Sequence, residues 1–185
     1  MRRIALALLL ALSATPAFAQ SNNPQIDFAG FQALAGEVAP YREGRLVDWR
    51  TFSTMAAAPE VLVLDARSES AFRAGHIAGA VNLPLPDFTA ESLARVIGDS
   101  DRPILIYCNN NFRNDAPPVM LKQVQLALNI QTFINLVGYG YRNVHELDEV
   151  IDFNDPAVRW VRSEMSVSEG QAPARLTGRS KLASP

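Results

Sequence analysis

Cys108 is the one cysteine in 185 residues, and it stands between the apolar run Ile104-Leu-Ile-Tyr107 and the polar run Asn109-Asn110-Asn111-Phe112-Arg113. A thiol is a nucleophile only as its thiolate, and its ordinary pKa of about 8.5 falls when backbone N–H groups or a helix N-terminus face the sulfur. The spacing offers both. The apolar run reads as a buried strand and the residues after Cys108 as a loop at its carboxyl end. Residues 113–128 have the spacing of an amphipathic helix, with Pro117 and Pro118 confined to its first turn. In an open α/β sheet the carboxyl edge is where ligands bind. Three consecutive asparagines argue against a dry core around the sulfur, where a lone cysteine otherwise packs as a small hydrophobe.

Other chemistries find less support. Two histidines, His76 and His145, lie far apart and only one cysteine is present, so no metal-ligand cluster can be assembled. Ser53 has no base at any useful spacing, which removes a serine hydrolase. Asp65 and Arg67, just past a strand end, read as a hydrogen-bonded pair that fixes loops rather than as catalytic groups. His76 reads as a residue pinning its turn through a backbone hydrogen bond. Phe112, Tyr139 and Tyr141 are candidates for the rim of a site, with core packing as the alternative.

The elements that position these residues alternate. Asp27 can cap a helix over 28–39, stopped by Pro40; 45–47 reads as a short strand; Asp48 caps a helix to about 58. Residues 61–65 form the clearest strand of the first half. A short helix over 68–74 ends at Gly75, a turn and strand occupy 76–84, and a helix over 89–97 ends at Gly98. After the strand 104–107 and the helix to 128, Asn129 is suited to a left-handed C-terminal position. The strand 132–136, the loop at Gly138-Tyr-Gly140 and a helix over 142–151 follow. Strands alternating with helices imply an α/β fold with a largely parallel sheet. From Asp152 onward the chain reads as a disordered tail, although Val158, Trp160 and Val161 could pack back.

Met1-Arg2-Arg3, the apolar run Ile4 to Leu12 and Ala17-Phe18-Ala19 match a secretory signal peptide cut after Ala19. Nothing later is long and apolar enough for a transmembrane helix. The expected location is the periplasm of a Gram-negative cell, or outside the cell. Loss of Arg2 and Arg3 leaves 15 basic against 19 acidic residues, a formal charge of −4, which gives no reason to expect nucleic acid or an anionic membrane as partner. The unpaired thiol is notable in a compartment that favours disulfides.

Four ordered blocks resemble the rhodanese family of sulfurtransferases. Leu64-Asp65-Ala66-Arg67 is similar to its aspartate–arginine signature, and Gly75-His76-Ile77-Ala78-Gly79-Ala80-Val81-Asn82-Leu83-Pro84 is close to its best-known motif. Cys108 to Arg113 matches its six-residue active loop, and Asn135 to Tyr141 its closing segment. The resemblance covers about 45–151, leaving 20–44 as an N-terminal extension with one helix and 152–185 as the tail. It implies an open, mainly parallel five-stranded sheet with helices on both faces. It also implies a ping-pong sulfur transfer without metal or organic cofactor. Cys108 takes a sulfane sulfur from a small donor and passes it to a thiol or cyanide. The amides of Asn109, Asn110, Asn111, Phe112 and Arg113 hold the persulfide, and Arg113 shapes the loop. Related phosphatases and arsenate reductases carry a loop one residue longer, so the C-x4-R spacing favours a single sulfur atom. Asn109 and Asn110 add no charge that would attract dianionic thiosulfate. The alternative is an inactive binding or sulfur-carrier module that serves a periplasmic partner protein.

Overall fold

The computed structural model describes residues 23–163, so the expected leader and the last 22 residues of the expected tail lie outside the described residues. Asp27 accepts the Gly30 N–H at 2.7 Å and opens α1 (Phe28–Glu43). Instead of stopping before Pro40, this helix runs through it. Packing of Tyr41 against the core and an ion pair from Arg42 hold the last turn despite the lost backbone bond. β1 (Leu46–Val47), α2 (Trp49–Ala56), β2 (Leu62–Asp65), α3 (Glu69–Ala74), β3 (His76–Ile77) and β4 (Val81–Asn82) follow. Asp48 and Ser68 cap α2 and α3 through Thr51 and Ala71. A reciprocal cap between Thr89 and Ser92 starts α4 (Ala90–Ile97). The remaining elements are β5 (Ile104–Tyr107), α5 (Leu128–Gly138), β6 (Val144–Leu147) and β7 (Trp160–Val161).

The main sheet has the order β1-β6-β5-β2-β4, and every pair in it is parallel. Parallel strands buried on both faces read as continuous apolar runs, as β2 and β5 do. Alternation sends Leu62, Leu64, Ile104, Ile106 and Val144 into one core, with Val38 of α1, Leu93 of α4 and Phe133 of α5. Val63, Leu105, Tyr107 and Leu147 enter the other, with Phe52 of α2 and Val158. Helices therefore cover both faces of a five-stranded α/β sheet.

Three expected elements are corrected. Residues 113–127 form no α-helix, only a single 3-10 turn at Val124–Leu126: prolines at 117 and 118 supply no N–H and push the residue before each away from α geometry, and Asp115 has a positive φ of 38°. Of its large apolar residues Val119 is buried, whereas Met120, Leu121, Val124 and Leu126 are exposed. A helix here would have had little to bury. The helix falls later, because the buried positions 129, 132, 133, 136 and 137 keep a helical period straight through the expected strand 132–136. Asn129 is thus the second residue of α5, not a C-terminal cap. Finally, residues 144–147 within the expected helix 142–151 form β6, inserted between β1 and β5.

The fold also continues past Asp152. β7 pairs antiparallel with β3, and Trp160 packs against Phe112 and Phe153 with ring centroids 5.0 and 5.4 Å away. Residues 152–163 are therefore part of the second core's cover rather than a disordered tail.

Candidate active site

Cys108 directly follows β5 and is 1% exposed. It lies in a pocket of about 250 Å³ whose wall includes Asn110, Asn111, Val124, Asn129, Glu146 and Asp148. The sequence places a strand end and a helix start around the sulfur, and the structure supplies both, but the helix is α5. Burial pushes the thiol pKa up, opposed by the backbone N–H groups of Asn129, Asn110 and Leu128, while the Glu146 carboxylate pushes it up further. The expected fall toward neutrality does not occur. Three donors can hold a sulfur anion here, yet a mostly buried thiol loses more by leaving water than they return.

The three asparagines have separate structural tasks. Asn111 Oδ1 accepts the Cys108 N–H at 2.8 Å and the Asn129 amide at 3.0 Å. Its Nδ2 donates to the carbonyls of Leu147 at 2.7 Å and Glu149 at 3.1 Å. Asn109 donates to the Met120 carbonyl at 2.8 Å, and Asn110 bonds both backbone groups of Lys122. Residues 113–127 therefore form a strap, held by the loop at its middle. The Leu121 N–H donates to Asp115 at 3.0 Å and ties it internally.

The loop amides that the resemblance assigns to the persulfide also carry backbone bonds of their own. The N–H groups of Asn111, Phe112 and Arg113 donate to the carbonyls of Cys108, Asn109 and Ile151. The Asn110 N–H of the loop favours the thiolate, joined by those of Leu128 and Asn129 from the start of α5, and the Asn111 N–H faces the Cys108 side chain in a capping arrangement. Phe112 is wholly buried against Tyr107, Phe153 and Trp160, so it belongs to the core and not to the mouth. Arg113 is exposed and lines an adjoining depression with Trp49, Asp152 and Asp155, which shares Glu149 and Val150 with the Cys108 pocket. It does not line the pocket of Cys108. Tyr141 is buried in the first core, and Tyr139 donates to the Phe88 carbonyl away from this pocket.

Asp65 and Arg67 meet in a buried, doubly bonded ion pair, with Arg67 Nη2 2.6 Å from Asp65 Oδ2 and Nε 2.9 Å from Oδ1. Tyr107 donates to the same carboxylate at 2.6 Å and accepts the Ile77 N–H at 3.2 Å, while Arg67 also reaches the Gly75 carbonyl at 2.7 Å. This network ties β2 and β5 to the turn before β3. His76 Nδ1 lies 2.8 Å from the Phe72 carbonyl, and the two rings stack 3.7 Å apart. None of the three lines the Cys108 pocket.

Sequence reasoning missed Leu128, Asn129, Arg42 and Glu146. The period of 129, 132, 133, 136 and 137 is the signal for the α5 start. Arg42 and Glu146 carried none, because an ion pair 104 residues apart has no local pattern.

Comparison with known proteins supplies the remaining observation. The family model described as Rhodanese-like domain matches residues 48–151. The HTH-type transcriptional regulator Rv0324 of Mycobacterium tuberculosis is 40% identical over 60 residues, covering 32% of this chain and 25% of that protein. The chain thus spans a quarter of the length of this curated relative. The solution structure of the rhodanese-like domain from the Anabaena sp. Alr3790 protein is 19% identical, covers 76% of this chain and 93% of that one, and has a TM-score of 0.45. The BH2092 protein of Bacillus halodurans is 17% identical over 63% of this chain and 74% of its own, with a TM-score of 0.40.

Proposed function

The chain belongs to the rhodanese-like domain family, and on that premise we propose that it transfers sulfane sulfur through a persulfide on Cys108. The observation that carries this reading is the position of Cys108 at the end of β5 in a pocket it shares with the start of α5, where the backbone N–H groups of Asn110, Leu128 and Asn129 favour the thiolate. Oriented amides at a helix start stabilise a sulfur anion without a counter-cation.

In the proposed cycle Cys108 loses its proton to water and the thiolate attacks the terminal sulfur of a persulfide or polysulfide donor. A new Sγ–S bond forms, the donor's S–S bond breaks, and the donor leaves as a thiolate with the bonding pair. The charge of the Cys108 persulfide rests mainly on its outer sulfur, within reach of the three donors. An acceptor thiolate or cyanide then attacks that sulfur, breaks the Sγ–S bond and returns Cys108 as thiolate. Glu146, Asp148 and Glu149 against the single cation Arg42 make neutral or singly charged donors better suited to this pocket than dianionic thiosulfate. The leader pattern of residues 1–19 supports an exported setting for this chemistry.

Intact-mass measurement after incubation with polysulfide tests the proposal. One added sulfur on the protein, removed by cyanide and missing in Cys108→Ser, is the expected result. Failure of every sulfane donor to leave that adduct overturns it. A second reading, sulfur carriage or binding for a partner protein without turnover, draws support from the exposed Met120, Leu121, Val124 and Leu126 on the strap beside the pocket.

A further inference from the structure

α1 lies outside the span that matches the family, yet its last turn reaches the pocket of Cys108. Arg42 Nε and Nη2 each stand 2.6 Å from a different oxygen of Glu146, a fork-on-carboxylate pair. The Glu146 side chain is 5% exposed. In the parallel register Glu146 lies beside Ile106, and Cys108 follows Ile106 by two residues, so the carboxylate and the thiol fall on the same face of the sheet. Both line the pocket.

The other charges around this pocket are few. Asp148 and Glu149 follow β6, and Glu149 accepts the Trp49 N–H at 2.7 Å, which places its charge at the start of α2. The strap and α5 contribute Val124, Ala127, Asn129 and Ile130, none of them charged. Arg42 is the one cation among the lining residues, and both of its hydrogen bonds are spent on Glu146. A buried carboxylate left without this partner would face a sulfur that has to become an anion.

We propose that Arg42 is a positioning residue of the Cys108 site, supplied from outside the family-matching span, which neutralises Glu146 so that a sulfur anion can form beside it. The inference rests on the persulfide reading for its purpose, although its test needs no sulfur transfer. Glu146 already pushes the thiol upward even when paired, which is the direction the proposal requires.

The test is the pH dependence of Cys108 alkylation by iodoacetamide in the full mature chain, with thermal unfolding measured alongside. Arg42→Gln is expected to raise the midpoint by about one pH unit, about a tenfold slower reaction at neutral pH. Arg42→Lys keeps it near the wild-type value, Glu146→Gln lowers it, and the double variant Arg42→Gln/Glu146→Gln returns it to the wild-type value or below. An unmoved midpoint in a folded Arg42→Gln variant overturns the proposal, as does a double variant that follows Arg42→Gln. Should Arg42→Gln fail to fold, Glu146→Gln decides: a midpoint that does not drop overturns the role. A midpoint that moves as expected in a protein that never accepts sulfur supports the Arg42 role and refutes the persulfide reading, so the two failures are distinct.

Discussion

Asn110 holds both backbone polar groups of Lys122, donating from Nδ2 to the carbonyl at 2.8 Å and accepting the N–H on Oδ1 at 3.1 Å. A side-chain amide here does what a neighbouring strand would do, and it keeps the strap 113–127 against the loop that carries Cys108. The strap in turn supplies Val124 and Ala127 to the pocket wall.

Asn110→Ala removes both bonds and leaves the Asn110 N–H at the sulfur. Two hydrogen bonds contribute about 1–3 kcal/mol, and the loss is expected mainly as local opening of the strap rather than global unfolding. Alkylation of Cys108 should quicken by about fivefold or more, and limited proteolysis should cut first within 113–127. Unchanged alkylation and unchanged cleavage would show that the strap does not depend on Asn110.

The thiol of Cys108 is held above its ordinary range by burial, with Glu146 adding to the effect. Alkylation and sulfur loading both need the thiolate, so each rate should climb about tenfold per pH unit through neutrality and plateau only above about pH 8.5. Stability moves the opposite way. The unfolded thiol releases its proton near its ordinary pKa while the folded one retains it, so stability is intact below about pH 8.5 and declines as the pH rises toward the folded value. Cys108→Ser should remove that part of the decline in urea unfolding followed against pH. A rate plateau at or below pH 7 would mean that the amides outweigh the burial.

Asp65 and Arg67 anchor the turn before β3 in the core opposite the first, with Tyr107 on the same carboxylate. Removing one member leaves an uncompensated buried charge, at about 3–5 kcal/mol. Arg67→Met alone should therefore lower the thermal midpoint by about 10 °C or more in a domain of this size. Asp65→Asn/Arg67→Met together should cost less than Arg67→Met alone. Because none of these side chains lines the Cys108 pocket, the folded fraction should accept sulfur at the wild-type rate. Differential scanning calorimetry and intact mass on the same samples check both statements.

What the sequence made legible follows from how local each signal is. The strands at 62–65 and 104–107 were visible because their core residues are consecutive and branched, and the caps Asp27 and Asp48 were visible because their partners lie three residues away. β6 was hidden: His145 and Glu146 interrupt its apolar run, and the charge is tolerated only because Arg42 arrives from α1. α5 was mistaken for a strand because Thr132, Phe133 and Ile134 suit either structure, and the choice rests on a face that includes the polar Asn129. Of the site, Cys108 at a strand end was readable, whereas the Leu128 and Asn129 N–H groups that favour its anion start a helix 20 residues away, beyond a strap tied to the loop by the side-chain amides of Asn109 and Asn110.

Arg113 provides the sharpest contrast between motif and geometry. The C-x4-R spacing assigns it to the nucleophile, but the exposed side chain lines the adjoining depression rather than the Cys108 pocket itself, and its backbone N–H is bound to Ile151 in the second core. Arg113→Ala keeps that backbone bond and removes only the side chain. The rate of Cys108 alkylation and the rate of sulfur loading should stay within about twofold of wild type, and the thermal midpoint should move little, as for an exposed residue without a buried partner. Arg42→Gln, by comparison, should shift the alkylation midpoint although no motif marks that position. A tenfold loss of sulfur loading in Arg113→Ala, with alkylation unchanged, would place the guanidinium at the donor and restore the motif's reading over the geometric one.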